Sequence, residues 1–157
     1  MQHFILLILA MGLATATFAQ DDGSDVIVTT NLTKEHWYDK LDKAKKNPQD
    51  VHYLDLSLEK RRSFPEVIFT FTNLKELHAP YNYWESIPSQ IGQMKSLRLL
   101  DLSGNYYMGK LPDALGNLNN LDSLILKDHK LAPGEIGDVK KQLPETTIIH
   151  QHHKNAD

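Results

Sequence analysis

Apolar residues recur along the chain in four short segments with nearly constant spacing. The segments start at Val51, Leu74, Leu97 and Leu121, so the starts lie 23, 23 and 24 residues apart. In each segment apolar residues occupy the first, fourth and sixth positions, which predicts a short strand with one buried face. A unit of this length cannot close a core by itself and must stack on its neighbours. The pattern therefore predicts a solenoid of stacked repeats.

Further features recur after the predicted strands at nearly the same spacing. Asn82 and Asn105 follow two of the strands, where an amide can bond backbone groups of its own turn and of the neighbouring coil. Proline suits a return segment that donates no ladder hydrogen bond. An apolar residue followed by proline recurs at Phe64-Pro65, Ile87-Pro88 and Leu111-Pro112.

Residues 33–50 predict an amphipathic capping helix in front of the first repeat. Thr33 is placed as its N-cap, and Asn47-Pro48 would end it. Such a helix would cover the open end of the repeat core. Its apolar face, at i, i+4 and i+7, consists of Trp37, Leu41 and Ala44.

The C-terminal end of the chain predicts two more elements. Residues 146–157 comprise a partial fifth strand and a histidine-rich tail, and the pattern leaves open whether Ile148 or Ile149 faces the core. A final helix before this strand is predicted by the spacing of Ile136, Val139 and Leu143.

These repeats resemble the leucine-rich repeat family over residues 51–145. The repeat at 74–96 is similar to the 23-residue Ile-Pro variety of Ras-pathway scaffold proteins and many bacterial proteins. The next repeat resembles the 24-residue plant-specific type: Leu97-x-x-Leu100-x-Leu102-x-x-Asn105-x-x-x-Gly109-x-Leu111-Pro112-x-x-Leu115-Gly116-x-Leu118. The outer repeats depart from the pattern, with Glu59 and His129 at the asparagine position. The resemblance implies an α/β solenoid, a short horseshoe arc with a parallel concave sheet.

The N-terminal sequence has the pattern of a secretory signal. An apolar run from Phe4 to Leu13 is short for a membrane span, and small residues favour cleavage after Ala19. We therefore assign 1–19 to a signal peptide and 20–32 to a polar leader, with an uncleaved anchor as the alternative. Secretion, the capping helix and the absence of cysteine together resemble small secreted leucine-rich repeat proteins of Gram-negative bacteria, found in the periplasm or at the cell surface.

Composition excludes several kinds of chemistry. The 157 residues include no cysteine and carry a net charge of −3. A disulfide framework, a thiolate metal site and a cysteine nucleophile are therefore excluded. The acidic balance argues against a nucleic-acid partner, which would favour a basic face.

The resemblance implies that outward strand positions line a binding face. These positions include Tyr53, Asp55, Glu76, His78, Leu99, Asp101 and Lys127. Next to them, Tyr81, Tyr83 and Tyr106 are expected to be exposed, whereas Trp84 and Tyr107 are expected in the core. Exposed tyrosine is enriched in interfaces because it buries much area for little entropy loss. All ten outward and exposed residues are candidates for contacting a partner.

Two clusters offer alternative chemistry. Asp55, His78 and Asp101 form a column on adjacent strands, about 4.8 Å apart, that could hold a metal or act in acid–base chemistry, although surface electrostatics is the preferred interpretation. His150, His152 and His153 could chelate a transition metal, but a solvated tail is preferred.

No motif places a catalytic nucleophile in the sequence. We therefore expect no enzyme activity, no cofactor and no metal. The sequence predicts a secreted, monomeric, non-catalytic module that binds a protein through the concave face and the tyrosines. Binding of a cell-surface glycan by the same tyrosines is the alternative.

Overall fold

A computed structural model of the chain describes residues 18–19, 25–26 and 36–151. It divides the chain into two units, 1–35 and 36–157. In the first unit, strand β1 (Phe18–Ala19) pairs antiparallel with β2 (Asp25–Val26). Most of the expected signal peptide and leader, Thr33, and the end of the histidine-rich tail lie outside the described residues.

The second unit contains a six-stranded parallel sheet whose strands follow one another in chain order. This arrangement confirms the predicted solenoid with a parallel sheet, because each strand pairs only with its neighbours along the sequence. The strands are β3 (Trp37–Tyr38), β4 (Tyr53–Asp55), β5 (Glu76–His78), β6 (Leu99–Asp101), β7 (Ser123–Lys127) and β8 (Thr147–Gln151).

The register of the sheet follows the sequence period. The third residues of the four repeats, Tyr53, Glu76, Leu99 and Ser123, are aligned across β4 to β7. The fourth residues are leucines that are fully buried, which places one layer of leucine side chains behind the sheet. A one-residue slip would turn every leucine to the other face, so the burial of this layer fixes the register.

The return side of the coil is built from short 3₁₀ segments. Three of them span Glu66–Thr70, Ser89–Gln93 and Asp113–Asn117, and each begins directly after a proline. Neighbouring coils approach closely at Gly92, where an added Cβ would lie 2.5 Å from the carbonyl oxygen of Ala114. Each segment buries one apolar residue completely, namely Ile68, Ile91 and Leu115.

Two buried asparagines tie successive coils together. The amide of Asn82 donates to the Leu56 carbonyl at 2.8 Å, and its Oδ1 accepts from the Arg61 amide at 3.1 Å. Asn105 repeats the arrangement one coil later, with Ala79 as acceptor and Trp84 as donor. We call these bonds the asparagine ladder. It satisfies backbone groups that the turns bury, as the sequence pattern predicts.

The N-terminal capping helix is much shorter than predicted. Helix α1 spans only Leu41–Ala44, with both of these residues buried. The expected helical residue Trp37 instead lies in β3, where it pairs with Tyr53. Aromatic residues favour strands, and pairing lets the carbonyl of His36 accept from the backbone amides of the first repeat. Closing the sheet edge therefore competes successfully with extending the helix.

The C-terminal end is closed by helix α2 (Glu135–Gln142) and strand β8. The helix buries Val139, as the spacing predicts. Ile148 is half-buried and packs on the core, whereas Ile149 is exposed. The structure therefore settles which isoleucine of the last strand faces inward. Within the described ranges, no helix has the length and apolar content to cross a membrane.

Candidate functional site

The concave face is the outward side of the sheet. Six of its predicted residues are half-buried and lie at the register positions expected for them: Tyr53, Asp55, Glu76, His78, Leu99 and Asp101. Lys127, at the end of β7, is exposed. These seven residues share the outward face of one sheet.

Strand β3 adds an aromatic residue that the sequence analysis assigned to a helix. The ring of Trp37 stacks on Tyr53 with centroids 5.6 Å apart and lies 5.7 Å from the ring of His78. Trp37 is 36% exposed. We call these three side chains the N-terminal ring cluster. The adjacent aromatic pair Trp37-Tyr38 is the sequence signal that could have indicated the strand.

A pair of histidines lies next to this cluster. The rings of His36 and His52 are 4.5 Å apart. Burial lowers the pKa of His52 below its usual value, and the positive charges of His36 and Lys75 lower it further. His52 therefore gives up its proton more readily than an exposed histidine does.

The Asp–His–Asp column has a structural role in the turns. The register does align Asp55, His78 and Asp101. However, Asp101 Oδ1 accepts from the backbone amide and the hydroxyl of Ser103, at 2.9 and 2.6 Å. Asp55 bonds Ser57 in the same way, and His78 Nε2 lies 3.0 Å from Glu76. Across the part of the chain that the structure describes, no three such side chains are arranged to hold a metal ion.

The residue before each asparagine position has left-handed backbone geometry. Leu58, Tyr81, Gly104 and Asp128 have φ values of 61°, 57°, 67° and 51°. Only glycine adopts this region without strain. The recurrence at one repeat position shows that the turn out of the strand imposes this geometry on whichever residue occupies it.

Tyr81 extends from its own turn across the next two repeats. Its ring lies over Gly104, where an added Cβ would be 2.3 Å from the ring. Its hydroxyl donates to Asp128 at 3.3 Å, and the charge of Asp128 raises the pKa of Tyr81. The ring remains 45% exposed. A glycine at one turn thus makes room for an exposed aromatic ring from the previous turn.

A second aromatic site lies beyond the strand ends. The rings of Tyr83 and Tyr107 meet edge to face, with centroids 5.8 Å apart and planes at 85°. They border an open groove of about 650 Å³. We call it the tyrosine groove, and its lining residues are Tyr83, Tyr106, Tyr107, Gly109 and Lys130.

One of the groove tyrosines was assigned wrongly from the sequence. Trp84 is buried as expected, but Tyr107 is 65% exposed and Met108 is buried in its place. The cause is the extra residue of the 24-residue repeat. The inward position falls two residues after Asn82 but three residues after Asn105, so Tyr107 is pushed out to the surface.

Comparison with known proteins finds similarity to segments of larger proteins. No family profile matches the chain. It is 31% identical over 90 residues to receptor-like protein 39 of Arabidopsis thaliana, covering 56% of this chain and 10% of that protein. It is 35% identical over 77 residues to an adenylate cyclase of Schizosaccharomyces pombe, covering 49% of this chain and 5% of that protein. The chain thus spans a small fraction of either relative.

A solved structure of a leucine-rich repeat protein from Leptospira interrogans is also similar. The identity is 29% and the TM-score is 0.47, over 73% of this chain and 35% of that one. In the present chain, the periodic leucines form one buried layer and two asparagines join successive coils. The repeats, the asparagine ladder and the parallel sheet give this chain a leucine-rich repeat solenoid fold.

Proposed function

We propose that this chain is a secreted, monomeric, non-catalytic module that binds a protein through the concave face and the adjoining tyrosines. The one-sided distribution of exposed rings is the observation that carries this proposal. Among the described residues, every exposed large apolar side chain lies on a strand or in the segment between a strand and the return side, and none lies on a 3₁₀ segment. These side chains are Trp37, Leu58, Tyr81, Tyr83, Tyr106, Tyr107 and Ile149.

This distribution has the character of an interface. Tyrosine and tryptophan are enriched where proteins meet, because their rings bury much area and lose little side-chain entropy. The stacked pair of Trp37 and Tyr53 is already held in place before any partner arrives, which lowers the entropic cost of binding. A location in the periplasm or at the cell surface is part of the proposal and is supported by the N-terminal pattern.

Affinity capture with matched variants tests the proposal. The mature form from Gln20 would be used to capture partners from the native extracellular or periplasmic fraction. Two double variants remove aromatic rings from the proposed binding surface, namely Trp37→Ala/Tyr53→Ala and Tyr81→Ala/Tyr106→Ala. Each should weaken capture at least about tenfold, because central aromatic residues typically contribute about 2 kcal/mol each.

The control lies on the return side of the same coil. Gln90 and Gln93 are exposed on a 3₁₀ segment, and the double variant Gln90→Ala/Gln93→Ala should capture as well as the natural chain. Circular dichroism would verify that all three variants are folded. Unchanged capture by both ring variants, or loss of capture by the glutamine variant, would contradict the proposed surface.

The alternative function is binding of a cell-surface glycan by the same tyrosines. The open shape of the tyrosine groove favours it, because an exposed aromatic face can stack against the C–H face of a sugar ring. A glycan array probed with the mature chain would show ring-dependent hits if this alternative holds. A blank array at high protein concentration would count against it and leave protein binding as the better account.

A further inference from the structure

The tyrosine groove carries one positive charge, which restricts the kinds of ligand that it can bind. Lys130 is its one charged lining residue, and the other lining residues are three tyrosines and a glycine. Lys130 is exposed and has no ion pair within the described part of the chain. The groove therefore combines aromatic surface with one positive charge that is not neutralised by a neighbour.

The positive charge of Lys130 disfavours cationic ligands, which the tyrosine rings would otherwise attract. A cluster of aromatic rings attracts cations such as methylated ammonium groups through the negative ring faces. An ammonium group in the same groove repels such a ligand. The ligand is therefore expected to be neutral where it meets the rings and negative where it meets Lys130.

The shape of the groove favours a ring over a side chain. Tyr83 and Tyr107 stand at 85° to each other, so one offers a face and the other an edge. The site is an open groove, whereas an apolar side chain would be bound best in an enclosed pocket. The face of a sugar ring presents weakly positive C–H groups that complement a negative aromatic face, and its hydroxyls can exchange hydrogen bonds with the phenols at the rim.

We infer that the tyrosine groove binds an acidic sugar unit, a uronic acid within a glycan, by stacking on Tyr107 and pairing its carboxylate with Lys130. Gly109 leaves room for the sugar, because an added Cβ there would meet nothing within 4 Å. This inference rests on the glycan alternative above and specifies its ligand. Protein binding by the N-terminal ring cluster does not depend on it.

Calorimetric titration of the mature chain tests the inference with two matched probes. One is a tetramer of galacturonic acid, and the other is the same tetramer with its carboxyl groups reduced to alcohols. The acidic tetramer should bind with a Kd of about 0.1 to 1 mM, and the reduced tetramer about two- to fivefold more weakly. The difference reflects a single exposed ion pair on top of stacking.

Three variants separate the contribution of stacking on Tyr107 from that of the ion pair with Lys130. Lys130→Gln should weaken the acidic tetramer to the level of the reduced one and leave the reduced one unchanged. Tyr107→Ala should weaken both at least about tenfold, because it removes the stacking surface. Lys46→Gln is the matched control, since Lys46 is exposed after helix α1 and lies outside both the groove and the strands of the sheet, and it should leave both affinities unchanged.

Several results would overturn the inference. They are the absence of saturable binding of the acidic tetramer at several millimolar, equal affinity for the two tetramers, an equal effect of Lys46→Gln and Lys130→Gln, or no effect of Tyr107→Ala. If no tetramer binds but Lys130→Gln and Tyr107→Ala abolish capture of a protein, the groove recognises an acidic peptide instead. Absence of tetramer binding, together with protein capture that depends only on Trp37 and Tyr53, would overturn the sugar site while leaving the proposed protein-binding function intact.

Discussion

The middle coils and the terminal coils of this solenoid close their turns in different ways. In the middle, Asn82 and Asn105 are fully buried or nearly so, and each joins its own coil to the preceding one. At the same position in the outer repeats, Glu59 forms an ion pair with Arg61, and the ring of His129 accepts from the Leu131 amide. Both of these bonds stay within one coil. The middle coils are thus bonded to their neighbours through side chains at a point where the outer coils bond internally.

This difference explains where the exposed tyrosines lie. Tyr81 and Tyr83 flank Asn82, and Tyr106 and Tyr107 follow Asn105 directly. The backbone that carries these rings is therefore anchored by the asparagine ladder. A binding surface held on rigid backbone loses less entropy on binding than one held on mobile turns. The most regular repeats therefore provide the frame for the most exposed rings.

The largest expected contrast between middle and end concerns the buried apolar layer. Leu100→Ala removes a fully buried side chain from the central strand β6 and should lower the free energy of unfolding by about 3 to 4 kcal/mol. Ile148→Ala, in the last strand, removes a half-buried side chain and should cost about 1 kcal/mol. Urea denaturation measures both. Equal losses would show that the end of the solenoid is packed as tightly as its middle.

The next contrast concerns the asparagine ladder itself. Asn105→Ala leaves the Trp84 amide and the Leu102 carbonyl buried without their side-chain partner, which should cost about 2 to 3 kcal/mol. Asn120 also donates to a backbone carbonyl of the previous coil, but it is exposed. Asn120→Ala should therefore cost less than about 1 kcal/mol. Thermal unfolding of the two variants compares them, and similar losses would argue that the ladder adds little to the middle coils.

The smallest expected change in stability concerns the packing of the Tyr81 ring over Gly104. Gly104→Ala places a methyl group against the Tyr81 ring and strains a backbone with positive φ, so it should cost about 1 to 2 kcal/mol. In the background of Tyr81→Ala only the backbone strain remains, and the cost should fall to about 1 kcal/mol. A double-mutant cycle measures this coupling. Additive effects would mean that the ring moves aside freely and is not held over Gly104.

The sequence predicted the repeated parts of the fold well. The leucine period determined the strand register, because shifting any strand by one residue would expose its leucines. Asn82 and Asn105 were predicted correctly because a buried turn must satisfy its backbone groups. The outward positions of Tyr53 and Glu76 followed from the same period. These predictions rest on constraints that recur in every coil.

Predictions that depended on a single residue or segment were less successful. The helix expected around Trp37 became a strand, since pairing with Tyr53 satisfies the sheet edge and a helix there would not. Tyr107 was placed in the core because one extra residue in its repeat shifts the inward position to Met108. The groove beside Lys130 joins residues of three repeats, and no local pattern marks such a combination. The conformations of the solenoid ends and of the inserted residue therefore could not be predicted from the repeat pattern alone.

Native-state hydrogen exchange tests most directly whether the middle coils form the rigid frame. The amides of Ala79 and Leu102 bond across the central strands, whereas those of Tyr53 and Thr147 bond at the two ends of the sheet. The central amides should exchange only through global unfolding, and the end amides about 30-fold faster through local opening. Equal protection of all four amides, or faster exchange in the middle, would contradict the account.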